Sequence, residues 1–146
     1  MPALAAVDHD AYSPGYLRGI LGRARTIAVI GASPEPWRPS FGVMRYLRRA
    51  GYRVIAVNPT AAGETVHNER FHARLEEVPE RVDLVNVFRR PGAVPAVVED
   101  AIAIKAPSLW MQIGVRHDAA TARAEAAGIA VVMNRCISVE HARLLH

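Results

Sequence analysis

Apolar residues in this chain fall into short unbroken runs separated by longer stretches in which they recur every three or four positions. Ile27, Ala28, Val29 and Ile30 form one such run, and it stops abruptly at Gly31, Ala32 and Ser33. With no polar residue alternating inside it, the run predicts a strand covered on both faces, as in the middle of a parallel sheet. Tyr52 to Val57, Val82 to Phe88, Ser108 to Ile113 and Ile129 to Met133, all mainly apolar, are the further strands. Between them the period changes. Val43, Met44 and Leu47 mark one face of a helix that opens at Ser40, a good N-cap, and stops at Gly51. Val94, Val97, Val98, Ala101, Ile102 and Ile104 predict a buried helix, and His117 to Ala127 an alanine-rich one. Ser138 caps a last short helix, and Ser13 followed by Pro14 opens a first one that ends near Arg23.

Strands alternating with helices in a chain of 146 residues predict a single α/β domain, a doubly wound parallel sheet of five strands with helices on both faces. The expected strand order is Rossmann-like, 3-2-1-4-5. Its switch point lies between the first and fourth strands and brings Gly31 to Ser33 near Gln112 to Val115. Residues 1–12 are expected to be a loosely attached lead, with a lead over 1–15 and the domain over 16–146. Residues 60–73 form an irregular connection before a helical turn at Leu75 to Val78. The segment Pro34 to Ser40 has too many prolines to be helical and forms a loop over the end of the first strand.

Composition narrows the class without naming a function. Hydrophobic residues make up 51% and charged residues 22%, which is ordinary for a globular domain, and no run approaches the roughly 20 apolar residues that span a bilayer. The N-terminal stretch has no basic start followed by an apolar core, so the expected location is cytoplasmic. Cys136 is the only cysteine, which excludes an internal disulfide and a cysteine-built zinc site. Lys105 is the only lysine among 18 basic residues, and the arginines are spread along the chain rather than clustered with aromatics. Nucleic-acid binding is therefore poorly supported.

The chemistry collects at the strand ends. Gly31 has no Cβ, so backbone there can approach a ligand closely, and a side chain at that position is expected to meet the ligand before it disturbs the fold. The helix beginning at Ser40 points free N–H groups at any anion in the loop. Arg38, Arg89 and Arg90 are placed to meet phosphates through charge-assisted hydrogen bonds, although a solvated surface role fits each of them alone equally well. Asn58 and Pro59 end the second strand where a nicotinamide-binding domain carries an acid for the ribose hydroxyl, and the G-x-G-x-x-G spacing is absent. Both facts weigh against NAD. The histidines form no metal set, and Ser33 stands in no nucleophile elbow, so no catalytic constellation is found.

The stretch GASPEPWRPSFG at 31–42 resembles the opening loop of the coenzyme A-binding protein family, whose fold is related to the N-terminal domain of the succinyl-CoA synthetase α subunit. VNP at 57–59, VFRRP at 87–91, WMQIGV at 110–115 and NRCISVEHARL at 134–144 resemble that family's strand-end signatures in the same order. The resemblance implies coenzyme A or an acyl-CoA as the ligand. Nucleotide and pyrophosphate would lie over Gly31, Ala32, Ser33, Arg38 and Ser40, beside Asn58 and Pro59. Phe88, Arg89, Arg90 and Pro91 would flank them, and the pantetheine arm would run past Gln112 and Gly114 toward Cys136. The expected role is a stand-alone cofactor-binding protein without catalysis. The alternatives are an NAD(H)-binding redox domain and the CoA-binding subunit of a separately encoded ligase. The histidine that carries phosphate in the synthetases lies in a second domain absent from these 146 residues. Cys136 resembles the cysteine of the synthetases' Asn-Cys-Pro stretch, but Arg135 separates it from Asn134 and Ile137 replaces the proline.

Overall fold

The computed structural model describes residues 6–145. Five parallel strands form the sheet: β1 (Thr26–Ile30), β2 (Arg53–Val57), β5 (Leu84–Val87), β6 (Ser108–Met111) and β7 (Ala130–Val132). A small antiparallel pair, β3 (Thr65–Val66) and β4 (Glu69–Arg70), lies within the connection after β2. The helices are α1 (Pro14–Arg23), α2 (Pro39–Arg49), α3 (Val94–Ala103), α4 (Asp118–Ala126) and α5 (Ile137–Leu144). Among the described residues no helix is long and apolar enough to cross a membrane.

The doubly wound α/β fold is the one expected, but its strand order is not. The sheet runs β2-β1-β5-β6-β7, so the third long strand lies beside the first and not beyond the second. Two sets of hydrogen bonds account for this. The backbone around His72 takes the outer edge of β2: Asn58 N–H donates to the His72 carbonyl at 2.8 Å and His72 N–H donates to the Ala56 carbonyl at 3.0 Å. That edge is no longer open to a long strand. On the other side, the Asp83 carboxylate accepts from the Arg25 and Thr26 N–H groups, both at 3.0 Å, which fixes the entry to β5 against β1. The switch point therefore falls between β1 and β5.

Alternate residues of the strands build two cores. Val85, Val87, Leu109, Met111 and Val131 face α3 and α4. Ile27, Val29, Leu84, Trp110 and Val132 face α1, α2 and α5. Ser13 caps α1 as expected, accepting from Tyr16 N–H at 3.2 Å. Two other caps differ. α2 begins at Pro39 with Arg38 as its N-cap residue, and α5 begins at Ile137 with Cys136 in that position, so neither Ser40 nor Ser138 caps its helix. Ser40 is instead inside the first turn of α2 and buried.

The residues just before α1 are tied down. Tyr12 Oη accepts from Met133 N–H at 2.7 Å and lies 2.7 Å from His9 Nδ1, while Asp10 pairs with Arg116 at 2.8 Å. Tyr16 stacks on Tyr12 and donates to the Val131 carbonyl at 2.8 Å; burial pushes its hydroxyl up to about 12. The loosely attached lead expected over 1–12 thus does not extend to residues 9–12, and residues 1–5 lie outside the described residues.

Candidate functional site

Two adjoining grooves open at the C-terminal edge of the sheet. The first, about 450 Å³, is mainly polar and lies over the β1 loop between Gly31, Ser33, Arg38, Ser40, Asn58 and Phe88. Its backbone is held by the side chains that the sequence marked as ligands. Ser33 N–H donates to Ser40 Oγ at 3.0 Å, and Ser33 Oγ accepts from Glu35 N–H at 3.1 Å. Asn58 Nδ2 donates to the Ala32 carbonyl at 2.8 Å, and its Oδ1 accepts from both Thr60 N–H and Thr60 Oγ1. Ala32 itself is fully buried and lines neither groove.

Gly31 has a different reason to be glycine from the one expected. Its φ is +84°, and a Cβ would come within 2.4 Å of the Phe88 carbonyl oxygen. The conflict is with the neighbouring strand's own backbone, so a side chain here breaks the fold before it meets a ligand.

The anion-attracting elements of this groove are the start of α2 and its arginines. No side chain caps the α2 N-terminus and no acid stands in its first turn, which leaves the positive end of the helix dipole uncompensated. Arg38, Arg89 and Arg90 are exposed and make no ion pair with any described residue. Glu35 and Glu64 also line the polar groove, so its field is mixed rather than uniformly basic.

The second groove, about 570 Å³, is mainly apolar. Pro39 and Phe88 belong to both grooves and form their common wall. From there the second groove passes Val43, Arg90, Pro91, Gln112 and Gly114 to Cys136. Gln112 is buried and its Oε1 accepts from Ile137 N–H at 3.1 Å, which seats the start of α5 against the end of β6. Gly114, with φ +86°, donates its N–H to Asn134 Oδ1 at 2.7 Å. Ile113 stands on the groove's rim with 68% of its surface exposed.

Cys136 is half-buried at the end of this groove, with Sγ 3.2 Å from Ser138 Oγ. Burial pushes its thiol up, but hydrogen bonds from Ser138, the Val139 N–H and Gln112 outweigh that and hold it below its usual value. The N-terminal position on α5 works in the same direction. An inert, deeply buried thiol is therefore not what the fold provides.

The structure brings together most of the residues selected from the sequence; the two that line neither groove are the buried Ala32 and Pro59. Pro59 lines a separate depression with Val57, Leu75 and Val97 on the α3 side of the sheet, and Arg89 lines both that depression and the apolar groove. Two histidines serve structure: His117 Nδ1 accepts from Ala120 N–H at the start of α4, and His141 Nδ1 meets the Tyr46 hydroxyl at 2.9 Å. Burial lowers the pKa of His141. Among the described residues no group of three or more His, Cys, Asp and Glu side chains could hold a metal ion.

Sequence reasoning missed Pro39, which was read as part of a loop, Val43, which was read as helix core, and Asn86. The last is fully buried in β5, and both polar atoms of its side chain lack a hydrogen-bond partner. An unpaired buried amide costs about 1–3 kcal/mol. The available signal was one polar residue inside the apolar run from Leu84 to Val87.

Comparison with known proteins identifies the family. The model of the CoA binding domain matches residues 25–142. The uncharacterized protein YneT of Bacillus subtilis is 36% identical over 130 residues, 89% of this chain and 95% of YneT. A solved structure from Thermus thermophilus, cell-free ID.343, is 42% identical with a TM-score of 0.87, covering 91% of this chain and 99% of that one. The dinucleotide-forming acetyl-coenzyme A synthetase 1 of Ca. Korarchaeum cryptofilum shares the fold at 22% identity and a TM-score of 0.61. That match covers 73% of this chain and 25% of the synthetase. The chain belongs to the CoA binding domain family.

Proposed function

We propose that this protein binds coenzyme A, or an acyl-CoA, as a stand-alone cofactor-binding protein of the cytoplasm that carries no catalytic constellation of its own. The observation that carries the reading is the pair of grooves joined at Pro39 and Phe88, one polar beneath an uncapped helix end and one apolar ending at a thiol. Coenzyme A has the same division. Its phosphates suit the start of α2 with Arg38, Ser33 and Ser40 nearby, and Arg89 and Arg90 stand on the Phe88 side. Its pantetheine arm suits the apolar groove past Gln112 and Gly114, and its thiol then comes toward Cys136. Asn58 supports the loop beneath through the Ala32 carbonyl, with Pro59 following it outside the grooves. A nicotinamide dinucleotide is disfavoured, because Asn58 commits its amide to Ala32 and Thr60 where an acid would hold a ribose.

Thermal unfolding with each ligand tests this. A ligand that binds only the folded state adds roughly 2.7 kcal/mol at a hundred times its dissociation constant. Coenzyme A is expected to raise Tm with a concentration dependence that NADH does not match. A larger rise with NADH overturns the reading.

A further inference from the structure

Asn86 pairs in register with Val29 on one side and Trp110 on the other. Val29 and Trp110 belong to the face covered by α1, α2 and α5, as do Leu84 and Phe88 two residues before and after Asn86 in the same strand. The Asn86 side chain therefore lies on that face, one pleat or about 7 Å below Phe88. Phe88 is the wall shared by the two grooves, and Gln112 stands one pleat above Trp110 at the floor of the apolar groove. The orphaned carboxamide thus sits directly beneath the place where the grooves meet.

Nothing in the resting fold uses it. Asn86 is fully buried, neither Oδ1 nor Nδ2 has a hydrogen-bond partner, and Leu84, two residues earlier on the same face, is aliphatic. A carboxamide offers one acceptor and two donors, the complement of a secondary amide with its single N–H and C=O. Phe88 is only half-buried, and its ring stands between Asn86 and the place where the two grooves meet.

We infer that Asn86 is a ligand-binding residue whose carboxamide hydrogen-bonds an amide of the ligand's linear arm once the Phe88 ring turns aside. The inference rests on the coenzyme A reading and deepens it: the pantetheine arm carries secondary amides, whereas the nucleotide portion is met by the arginines and the start of α2. Amide-bearing arms are then selected over apolar chains of equal length. An unpaired carboxamide left behind by an apolar chain is a cost that a matching amide removes.

The test uses Asn86→Leu in the full chain with two probes, coenzyme A and adenosine 3′,5′-bisphosphate, which lacks the arm. Removing an unpaired buried amide should leave the free protein at least as resistant to urea as the parent. Coenzyme A affinity should fall roughly tenfold, the loss of one hydrogen bond to a buried partner. Affinity for the bisphosphate should be unchanged. Unchanged coenzyme A affinity, or an equal loss for both probes, overturns the assignment. If Asn86→Leu does not fold, the side-chain NH₂ resonances of Asn86 in the parent protein decide: they should shift with coenzyme A and not with the bisphosphate, and no shift with coenzyme A overturns it. A parent protein that binds neither probe refutes the coenzyme A reading itself, and this inference with it.

Discussion

The two faces of the sheet are made from alternate residues of the same strands, yet they are built to different specifications. Beneath α3 and α4, the layer is aliphatic from Val57 through Val85, Val87 and Leu109 to Val131, and its buried Thr121 hydroxyl is spent on the Met133 sulfur at 3.1 Å. Beneath α1, α2 and α5, the layer includes Trp110, whose Nε1–H donates to the Arg135 carbonyl at 2.9 Å, together with Ser108, Asn86, Gln112 and the half-buried Cys136. The polar groove lies over the ends of β1 and β2 beside the first turn of α2, and the apolar groove runs from that turn to Cys136 at the start of α5. One face needs only to exclude water. The other also carries buried polar groups beside the grooves, and if it holds the ligand as proposed, damage to the two should be separable.

The largest expected effect is one that joins fold and site. Gly31→Val places a β-branched residue at φ +84° and drives its Cβ against the Phe88 carbonyl oxygen. Backbone strain and overpacking together should cost more than about 4 kcal/mol, much of a typical stability margin. Urea denaturation should show a largely unfolded or severely weakened protein. A variant of parental stability would show that the β1 loop can move away from β5 and would return Gly31 to a purely ligand-facing role.

Next is a change confined to the aliphatic face. Leu109 is 1% exposed in the cluster beneath α3 and α4, and Leu109→Ala should cost about 2–5 kcal/mol from lost transfer energy and a residual cavity. Coenzyme A affinity measured by calorimetry on the folded variant should stay within about twofold of the parent, since distant sites add nearly independently. A large affinity loss here would erase the distinction between the faces.

How much of this was legible in the sequence depends on the range of the interaction. The run at 27–30 declares a buried strand because its apolar residues are contiguous, Leu84–Val87 does so with Asn86 as its one polar member, and the Ser13-Pro14 pair declares a helix start because both signals act within one turn. Strand order was not legible. It turns on Asp83 reaching the N–H groups of Arg25 and Thr26, 57 and 58 residues away, and on the backbone at His72 closing the edge of β2. The same limit applies to the site. Gly31, Ser33, Arg38 and Cys136 lie at strand and helix ends, where local chemistry marks them. Val43 acquires a relation to the grooves only when α2 packs beside β2 and α5, so a helix-core valine gave no such indication, and the polar Asn86 in its strand marked an anomaly without saying what it faces. The reading of Ser40 as a cap failed for a related reason: a serine at a helix start can serve its own helix or a loop seven residues back, and here it serves the loop.

The smallest expected effect concerns the thiol at the far end of the second face. Burial alone would raise the Cys136 pKa, but the hydrogen bonds from Ser138, Val139 and Gln112 prevail and lower it, so the thiolate is favoured relative to a free cysteine. Because a lowered pKa moves the loss of thiolate to lower pH, alkylation of the protein by iodoacetamide should persist as the pH falls through the range where a free thiol stops reacting. Cys136→Ser must abolish the labelling, since the chain has no other cysteine. Saturating coenzyme A should slow labelling several-fold if the pantetheine end fills the groove from Gln112 to Cys136, while adenosine 3′,5′-bisphosphate should leave the rate unchanged because it reaches only the polar groove. Equal protection by both would mean that the ligand closes the site from a distance or lies in another orientation. No protection by a coenzyme A that still binds would place the arm outside the apolar groove, and the two faces would then differ in composition without differing in use.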